Sequence, residues 1–413
     1  MFDTLTPLTQ VTCVMKNVFS LSLITLTCSP ALAELKLEPT LHLNLTGGVT
    51  TADSISELGT HAHDPSDDFA LQGLDLGMNI RYADWLEGLI NTNTFSVPGG
   101  DFESELEEAF LKLPELSLGQ TNLEVRAGRF LNRLGLQNNR HLHGWNYVDA
   151  NLSTANFLGE EALVTDGLEL TWMHEFDRGF FALTGSYGKA VAHEEHEEDD
   201  HDENEEEHEN EEEHEDEEHG HGTAEAAYFN DTFWTTRALL AFNQSDFLQH
   251  RFAVNGAGGD NEYNGGSSEV FSADYVFTWS ENGLEGGGRS ASIGAEFFHR
   301  NVTYDAGPGE NESHTGFMAF ANYQPNDNWR FDLRYDHLSG AAAGLHDDGD
   351  GREYEFEVDE RDRYSVAVTR MFNHSENSAS RLRLQYNHDV LEDTSEDSVW
   401  LQYSFDFGPG EIR

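Results

Sequence analysis

Close to its end the chain alternates with a period of two. Val399, Leu401, Tyr403, Phe405 and Phe407 fall on one side, and Trp400, Gln402, Ser404 and Asp406 on the other. Successive strand side chains point to opposite faces, so such a segment has one apolar and one mainly polar face. The same pattern sets Leu382, Leu384 and Tyr386 against Arg381, Arg383, Gln385 and Asn387. It also sets Trp329, Phe331, Leu333 and Tyr335 against Arg330, Asp332, Arg334 and Asp336, and Leu74, Leu76, Met78, Ile80 and Tyr82 against Asp75, Gly77, Asn79 and Arg81. Sixteen such segments are readable, at 40–50, 68–82, 85–97, 104–113, 121–131, 165–175, 178–188, 232–243, 246–257, 269–281, 288–303, 314–324, 327–338, 362–374, 378–390 and 396–408. Each is about long enough for a tilted strand to cross the hydrocarbon layer, which takes roughly 9–11 residues.

The connections carry a second signal. Those after even-numbered segments are short: Ala83-Asp84, Phe176-Asp177, Gln244-Ser245, Pro325-Asn326 and Ser375-Glu376, with somewhat longer ones at Pro114–Gln120 and Glu281–Gly287. The long ones, 51–67, 132–164, 189–231, 258–268, 304–313 and 339–361, all follow odd-numbered segments. A soluble β-sandwich has no reason to keep this parity. A barrel with tight periplasmic turns and long extracellular loops does. The expected fold is therefore all-β: a transmembrane antiparallel β-barrel of about sixteen strands with periplasmic termini, embedded in outer-membrane lipid. The low mean hydropathy of −0.58 is no obstacle, because a barrel wall needs only every second residue apolar.

Residues 1–33 read as a signal peptide. Met15-Lys16 precedes an apolar run from Val18 to Leu26, and Ala31-Leu32-Ala33 has the small-x-small form of a cleavage site. The barrel would then occupy 34–413, a mature chain of 413 − 33 = 380 residues. Cys13 and Cys28 both fall in the leader, so disulfides, thiolate metal sites and cysteine nucleophiles are not expected. Thr25-Leu26-Thr27 before Cys28 lacks the small residue that lipidation requires. A formal charge of −54 excludes nucleic acid as a natural partner.

Residues 193–221 read HEEHEEDDHDENEEEHENEEEHEDEEHGH, with seven histidines and nineteen acids. The tract cannot form a core and is expected to be disordered without a ligand, within an extracellular loop at 189–231. His193, His196, His201, His208, His214, His219 and His221 combine imidazole nitrogen with carboxylate oxygen, a donor set suited to zinc and also to copper, nickel or cobalt. Their irregular spacing points to a multi-site collector, and the plain alternative is an acidic, solvated loop. His61-x-His63-Asp64, His141-x-His143 and His346-Asp347-Asp348 lie in other outer connections. Segment 132–164 holds Trp145, Tyr147, Phe157 and Leu158, too apolar for a free loop. It either folds into the barrel and narrows the pore or packs outside as a lid. In the first case His141 and His143 stand near the constriction, with Asp149, Glu160 and Glu161 as companions.

Ala127-Gly128-Arg129-Phe130, His141-x-His143-x-Trp145-x-x-Val148-Asp149, Phe157-Leu158-Gly159 and Asp166-Gly167 together resemble a family of porin-like outer-membrane proteins. These carry His-rich loops, are associated with zinc uptake, and are distantly similar to phosphate-selective porins. The resemblance implies a metal channel of the outer membrane and, by analogy with porins, a homotrimer. Two features depart from it. Barrels of this kind commonly finish on an aromatic residue, whereas here Gly408-Pro409-Gly410-Glu411-Ile412-Arg413 follow Phe407. Phosphate selectivity needs a basic lumen, and this chain is strongly acidic, so phosphate is not expected as cargo. Such proteins are also labelled TonB-dependent receptors, but a plug domain and a wall of about 22 strands would not fit in the mature chain. Three functions stay open: a passive channel for zinc or another divalent metal, a general cation-preferring porin, and a surface metal buffer or sensor on a closed barrel. No spacing of serines, acids and histidines singles out a nucleophile, so neither an enzyme nor a tightly bound cofactor is expected.

Overall fold

A computed structural model describes residues 35–51, 70–97, 102–159, 162–191, 229–261, 266–284, 286–303, 312–339, 343–347, 352–356, 360–391 and 394–412. In chain order the strands are β1 (Leu35–Thr50), β2 (Ala70–Tyr82), β3 (Leu86–Ser96), β4 (Phe102–Leu118), β5 (Thr121–Leu131), β6 (Val164–Phe176), β7 (Gly179–Ala190), β8 (Thr232–Ser245) and β9 (Leu248–Asp260). They continue as β10 (Ser267–Ser280), β11 (Ser290–Thr303), β12 (Glu312–Asn326), β13 (Trp329–Ser339), β14 (Ala343–Asp347), β15 (Arg352–Phe356), β16 (Arg361–Ser375), β17 (Ser378–Val390) and β18 (Ser395–Phe407). Between β5 and β6 the described residues form a 3-10 turn at Leu142–Gly144 and a short helix, α1 (Leu152–Leu158). Sixteen strands close into one antiparallel barrel, and β14 with β15 forms a separate hairpin in the connection from β13 to β16. Closure is made by β1 on β18, with Leu41 opposite Phe407 and Leu45 opposite Tyr403. A closed wall leaves no strand edge unpaired, as a span through hydrocarbon demands.

The faces are sorted as the alternation requires, in the inverse of a soluble core. Leu384 is 53% exposed on the outside, while its neighbours Arg383 and Gln385 are 4% and 0% exposed on the inside. Thr40, His42, Asn44 and Thr46 are likewise buried along β1, and Leu37, Leu76, Leu111, Leu168 and Leu333 stand outward. Aromatics that suit the interface ring the short-turn rim, with Trp85, Phe176, Phe247, Trp329 and Phe372 exposed. Tight turns at 83–85, 119–120, 177–178, 246–247, 327–328 and 376–377 share that rim with both ends of the barrel chain. These features describe a β-barrel of the bacterial outer membrane, with the short turns on the periplasmic side.

Two boundaries differ from the sequence reading. β1 starts at Leu35, not near residue 40, and pairs with β2 from its first residue, Leu35 opposite Tyr82. Pro114–Gln120 is mostly strand: the ladder between β4 and β5 shifts register between Leu113 and Leu116 and resumes to Leu118, leaving a turn at 119–120. A bulge is where a strand tolerates a proline, which has no N–H to give the ladder. The leader at 1–33 and the tract at 193–221 lie outside the described residues.

Candidate functional site within the lumen

Residues 132–159 and 162–163 follow the extracellular end of β5 and lie inside the barrel wall. The segment is built on its own hydrogen bonds first. Asn138 Nδ2 donates to the carbonyls of Asn132 (2.9 Å) and Leu163 (3.1 Å), and Leu163 N donates to Asn138 Oδ1 (2.7 Å), tying the two ends together. Asn151 caps α1 by accepting from Thr154 N at 2.8 Å. The helix then buries Leu152, Phe157 and Leu158 with Leu134 and Leu163 against Phe233, Ala257, Val270, Phe298 and Leu338 of the inner wall. Arg300 sits below, its guanidinium 4.9 Å from the Phe157 ring and donating to Asn156 O at 2.9 Å.

Beyond this apolar contact the segment is held by charge, and its two halves meet opposite partners. Asp149 is buried among donors from β13, β16 and β17. Arg334 reaches Oδ1 at 2.9 Å, Arg363 reaches Oδ2 at 3.0 Å, and Gln385 and Asn387 donate at 2.7 and 2.9 Å. Arg383 donates to the carbonyls of Trp145 (2.9 Å) and Tyr147 (2.8 Å). Arg334 also packs 4.4 Å from the centre of the Tyr147 ring and pairs with Asp336 at 2.6 Å. Burial alone would raise the Asp149 carboxyl, but Arg334 and Arg363, helped by Gln385, hold it below the usual carboxylate range.

The other half faces β1, β2 and β4. His141 is buried with Nδ1 2.9 Å from Glu107 and Nε2 2.9 Å from Glu108, so carboxylates flank both ring nitrogens. His143 points Nδ1 at Asp75, 2.7 Å away, and its ring stacks on His42 with centroids 3.6 Å apart and planes 8° from parallel. His42 in turn holds Asp406 through Nδ1 at 2.9 Å.

The residues after β18 complete this corner. Gly408, at φ 112°, turns the chain inward; a side chain there would collide with the Pro39 carbonyl and Thr40. Asn79 then makes a pair of bonds with the segment, donating to Gly410 O and accepting from Ile412 N, both at 3.0 Å. Ile412 is buried with Leu89, Phe110 and Phe130, beside the Arg126 guanidinium. Glu411 comes to rest 3.6 Å from His143 Nε2 and 3.9 Å from His141 Nε2.

Two cavities of about 360 and 320 Å3 lie toward the periplasmic side of the inserted segment. Leu136, Arg140 and Arg251 line both. Arg330 and Arg334 join the larger, and Arg133 and Arg237 the smaller, against Asp149 and Glu124 as the acids. Arg330 is paired with Asp332 at 2.7 Å and Arg237 with Asp274 at 2.9 Å, while Arg251 makes no ion pair among the described residues. The charge of the whole chain therefore does not forecast these cavities: nineteen of its acids lie in the tract at 193–221.

Of the residues singled out in the sequence, His141 and His143 stand in the acidic corner, and His193, His196, His201, His208, His214, His219 and His221 lie outside the described residues. Asp149 stands with the arginines and not with the histidines. Glu160 and Glu161 lie outside the described residues. His42 and Glu411 were not singled out. His42 sits on a wall strand, where its only sequence signal is its place on the polar face of β1, and Glu411 sits in the segment that breaks the pattern.

No family model matches the chain, and no curated protein matches it in sequence. Its fold matches solved outer-membrane barrels along nearly their whole length. The anion-selective porin from Comamonas acidovorans superposes with a TM-score of 0.52 at 11% identity, covering 91% of this chain and 100% of that one. The outer membrane channel DcaP of Acinetobacter baumannii gives 0.53 at 11%, covering 90% and 97%. The loop L8 deletion mutant of OmpT, an outer membrane protein of Vibrio cholerae, gives 0.50 at 10%, covering 90% and 99%. At these identities the likeness is one of fold, and the chain has the fold of an outer-membrane porin.

Proposed function

We propose that this barrel is a porin-like channel that captures divalent metal cations, zinc foremost, in the extracellular tract at 193–221 and passes them inward down their gradient, as a homotrimer. The observation that carries the channel is the closed sixteen-stranded wall around a polar interior with cavities beside an inserted segment. A tract of seven histidines and nineteen acids at the mouth would raise the local cation concentration and supply exchangeable ligands. Segment 132–163 would then set the width of the passage.

The test is single-channel recording in a planar bilayer with and without micromolar zinc, on the full chain and on a chain lacking 193–221. Discrete steps altered by zinc only when the tract is present support the reading. A folded barrel that gives no steps overturns it in favour of a surface metal buffer. The arginine-lined cavities favour a second reading, a porin that prefers anions. The sign of the reversal potential in a potassium chloride gradient separates the two.

A further inference from the structure

We infer that His42, His143 and Glu411 form a divalent transition-metal site inside the barrel, completed only when the segment after β18 docks in the lumen. The three side chains offer ligand atoms that all lie within 4.8 Å of one another. Their surroundings aim them. Asp406 takes Nδ1 of His42 and Asp75 takes Nδ1 of His143, which makes Nε2 the lone-pair nitrogen of each ring, and that of His143 faces Glu411 at 3.6 Å. A carboxylate on the remote nitrogen is the arrangement that fixes the tautomer and raises the basicity of a metal-bound histidine. Among the described residues His42 Nε2 is buried without a hydrogen-bond partner, although its side chain is only 10% exposed. An orphaned buried nitrogen costs free energy that a ligand would recover.

Two imidazoles and one carboxylate form a donor set used by zinc when one coordination position stays open. An open position suits a cation that must leave again. The stacked rings need only splay for both lone pairs to converge on one ion. His141 is excluded from the set because Glu107 and Glu108 already flank its two nitrogens. Glu411 reaches the site only because Gly408 turns the chain inward and Asn79 and the Ile412 pocket hold it there. The acidic ligand is thus carried on a separately docked segment, while the two histidines belong to the wall and the inserted loop. The transport role of such a site, though not its chemistry, rests on the reading that divalent metal is the cargo.

Cobalt(II) is the probe. The full chain, refolded and carrying asparagine in place of the seven tract histidines, is titrated with the metal while visible d–d absorption is recorded. Bound metal is counted by elemental analysis, and heat-modifiable gel mobility checks each barrel for folding. One interior equivalent per chain is expected. His42→Gln and His143→Gln abolish its absorption band, and Glu411→Gln changes the band and weakens binding. Asp75→Asn and Asp406→Asn, which keep every ligand, weaken binding by roughly 10–100-fold. A folded, tract-substituted barrel that binds no equivalent overturns the site, and so does an equivalent indifferent to all three ligand substitutions. Zinc-responsive conductance without the interior equivalent would leave the channel reading standing and remove this site. An interior equivalent in a barrel without conductance would do the reverse.

Discussion

The two sides of the lumen are charged in opposite senses, and the inserted segment is polarised to match. On the side of β1, β2 and β4 stand Asp75, Glu107 and Glu108, with Asp406 of the neighbouring β18 held by His42, and the segment presents His141 and His143 there. On the side of β13, β16 and β17 stand Arg334, Arg363 and Arg383, and the segment presents Asp149 and two carbonyls. A flexible loop on a uniform wall could dock in many registers. Opposed fields penalise most of them, because turning the segment round would set histidine on arginine and aspartate on glutamate. The two anchors also differ in kind. The arginine side holds one carboxylate with permanent charges, whereas the acidic side holds imidazoles, which can give up a proton or exchange it for a metal.

The arginine anchor should therefore be the stronger. Asp149→Ala leaves Arg334 and Arg363 without their shared buried carboxylate, and breaking such a pair costs about 3–5 kcal/mol. The expected results are a lower denaturant midpoint for release of the segment, new protease cutting within 132–163, and larger conductance steps. The pH dependence has a definite sign. The Asp149 carboxyl is depressed when folded, against the pull of its burial, by Arg334 and Arg363. Its contribution is complete above the unfolded value of about 3.9 and is lost as pH falls through the folded value. The wild-type segment should thus stay pinned down to about pH 4 and loosen below it, while Asp149→Asn should be loose at every pH. An equally acid-sensitive Asp149→Asn barrel would place the dominant anchor elsewhere.

The histidine anchor should cost less. His141→Ala removes hydrogen bonds to two carboxylates, each worth about 1.5–3 kcal/mol when charged, part of which water entering the lumen restores. Because Asn132, Asn138 and Leu163 tie the segment into one body, releasing one end should already loosen the other. The cost of the His141→Ala, Asp149→Ala double variant in chemical unfolding should then fall short of the summed single costs. Strict additivity would mean that the two sides of the lumen act independently.

How much of this the sequence carried follows from the range of the interactions. Period-two patterning is local, so the wall, its sixteen strands and the lumenal placement of Arg334 and Arg383 could be read from neighbouring residues. Asp149 with Arg334 is separated by 185 positions and His42 with Asp406 by 364. No local pattern says which polar side chains meet across a lumen. The segment 408–412 was harder still: it departs from the strand pattern, and its docking depends on Gly408 and on a pocket assembled from β3, β4 and β5. Total charge misled about the cavities for a related reason. It counts the acids of 193–221 with the interior residues, although the fold separates the two.

The smallest structural effect, and the sharpest test of whether the arginine side governs what passes, belongs to Arg251. It lines both cavities and makes no ion pair among the described residues. Arg330 differs in being neutralised by Asp332 at 2.7 Å. A charge with no ion-pair partner beside a low-dielectric wall contributes more of its field to the passage than a paired one. Arg251→Gln keeps a polar side chain there and breaks no ion pair, so unfolding should move by no more than about 0.5 kcal/mol. The reversal potential in a potassium chloride gradient should nonetheless shift toward cation preference. That shift should be larger at low salt, since the screening length shortens from about 30 Å at 0.01 M to about 10 Å at 0.1 M. A reversal potential unmoved at low salt would mean that ions travel along the acidic side, past His143 and Glu411, and that the arginines serve only to hold the segment in place.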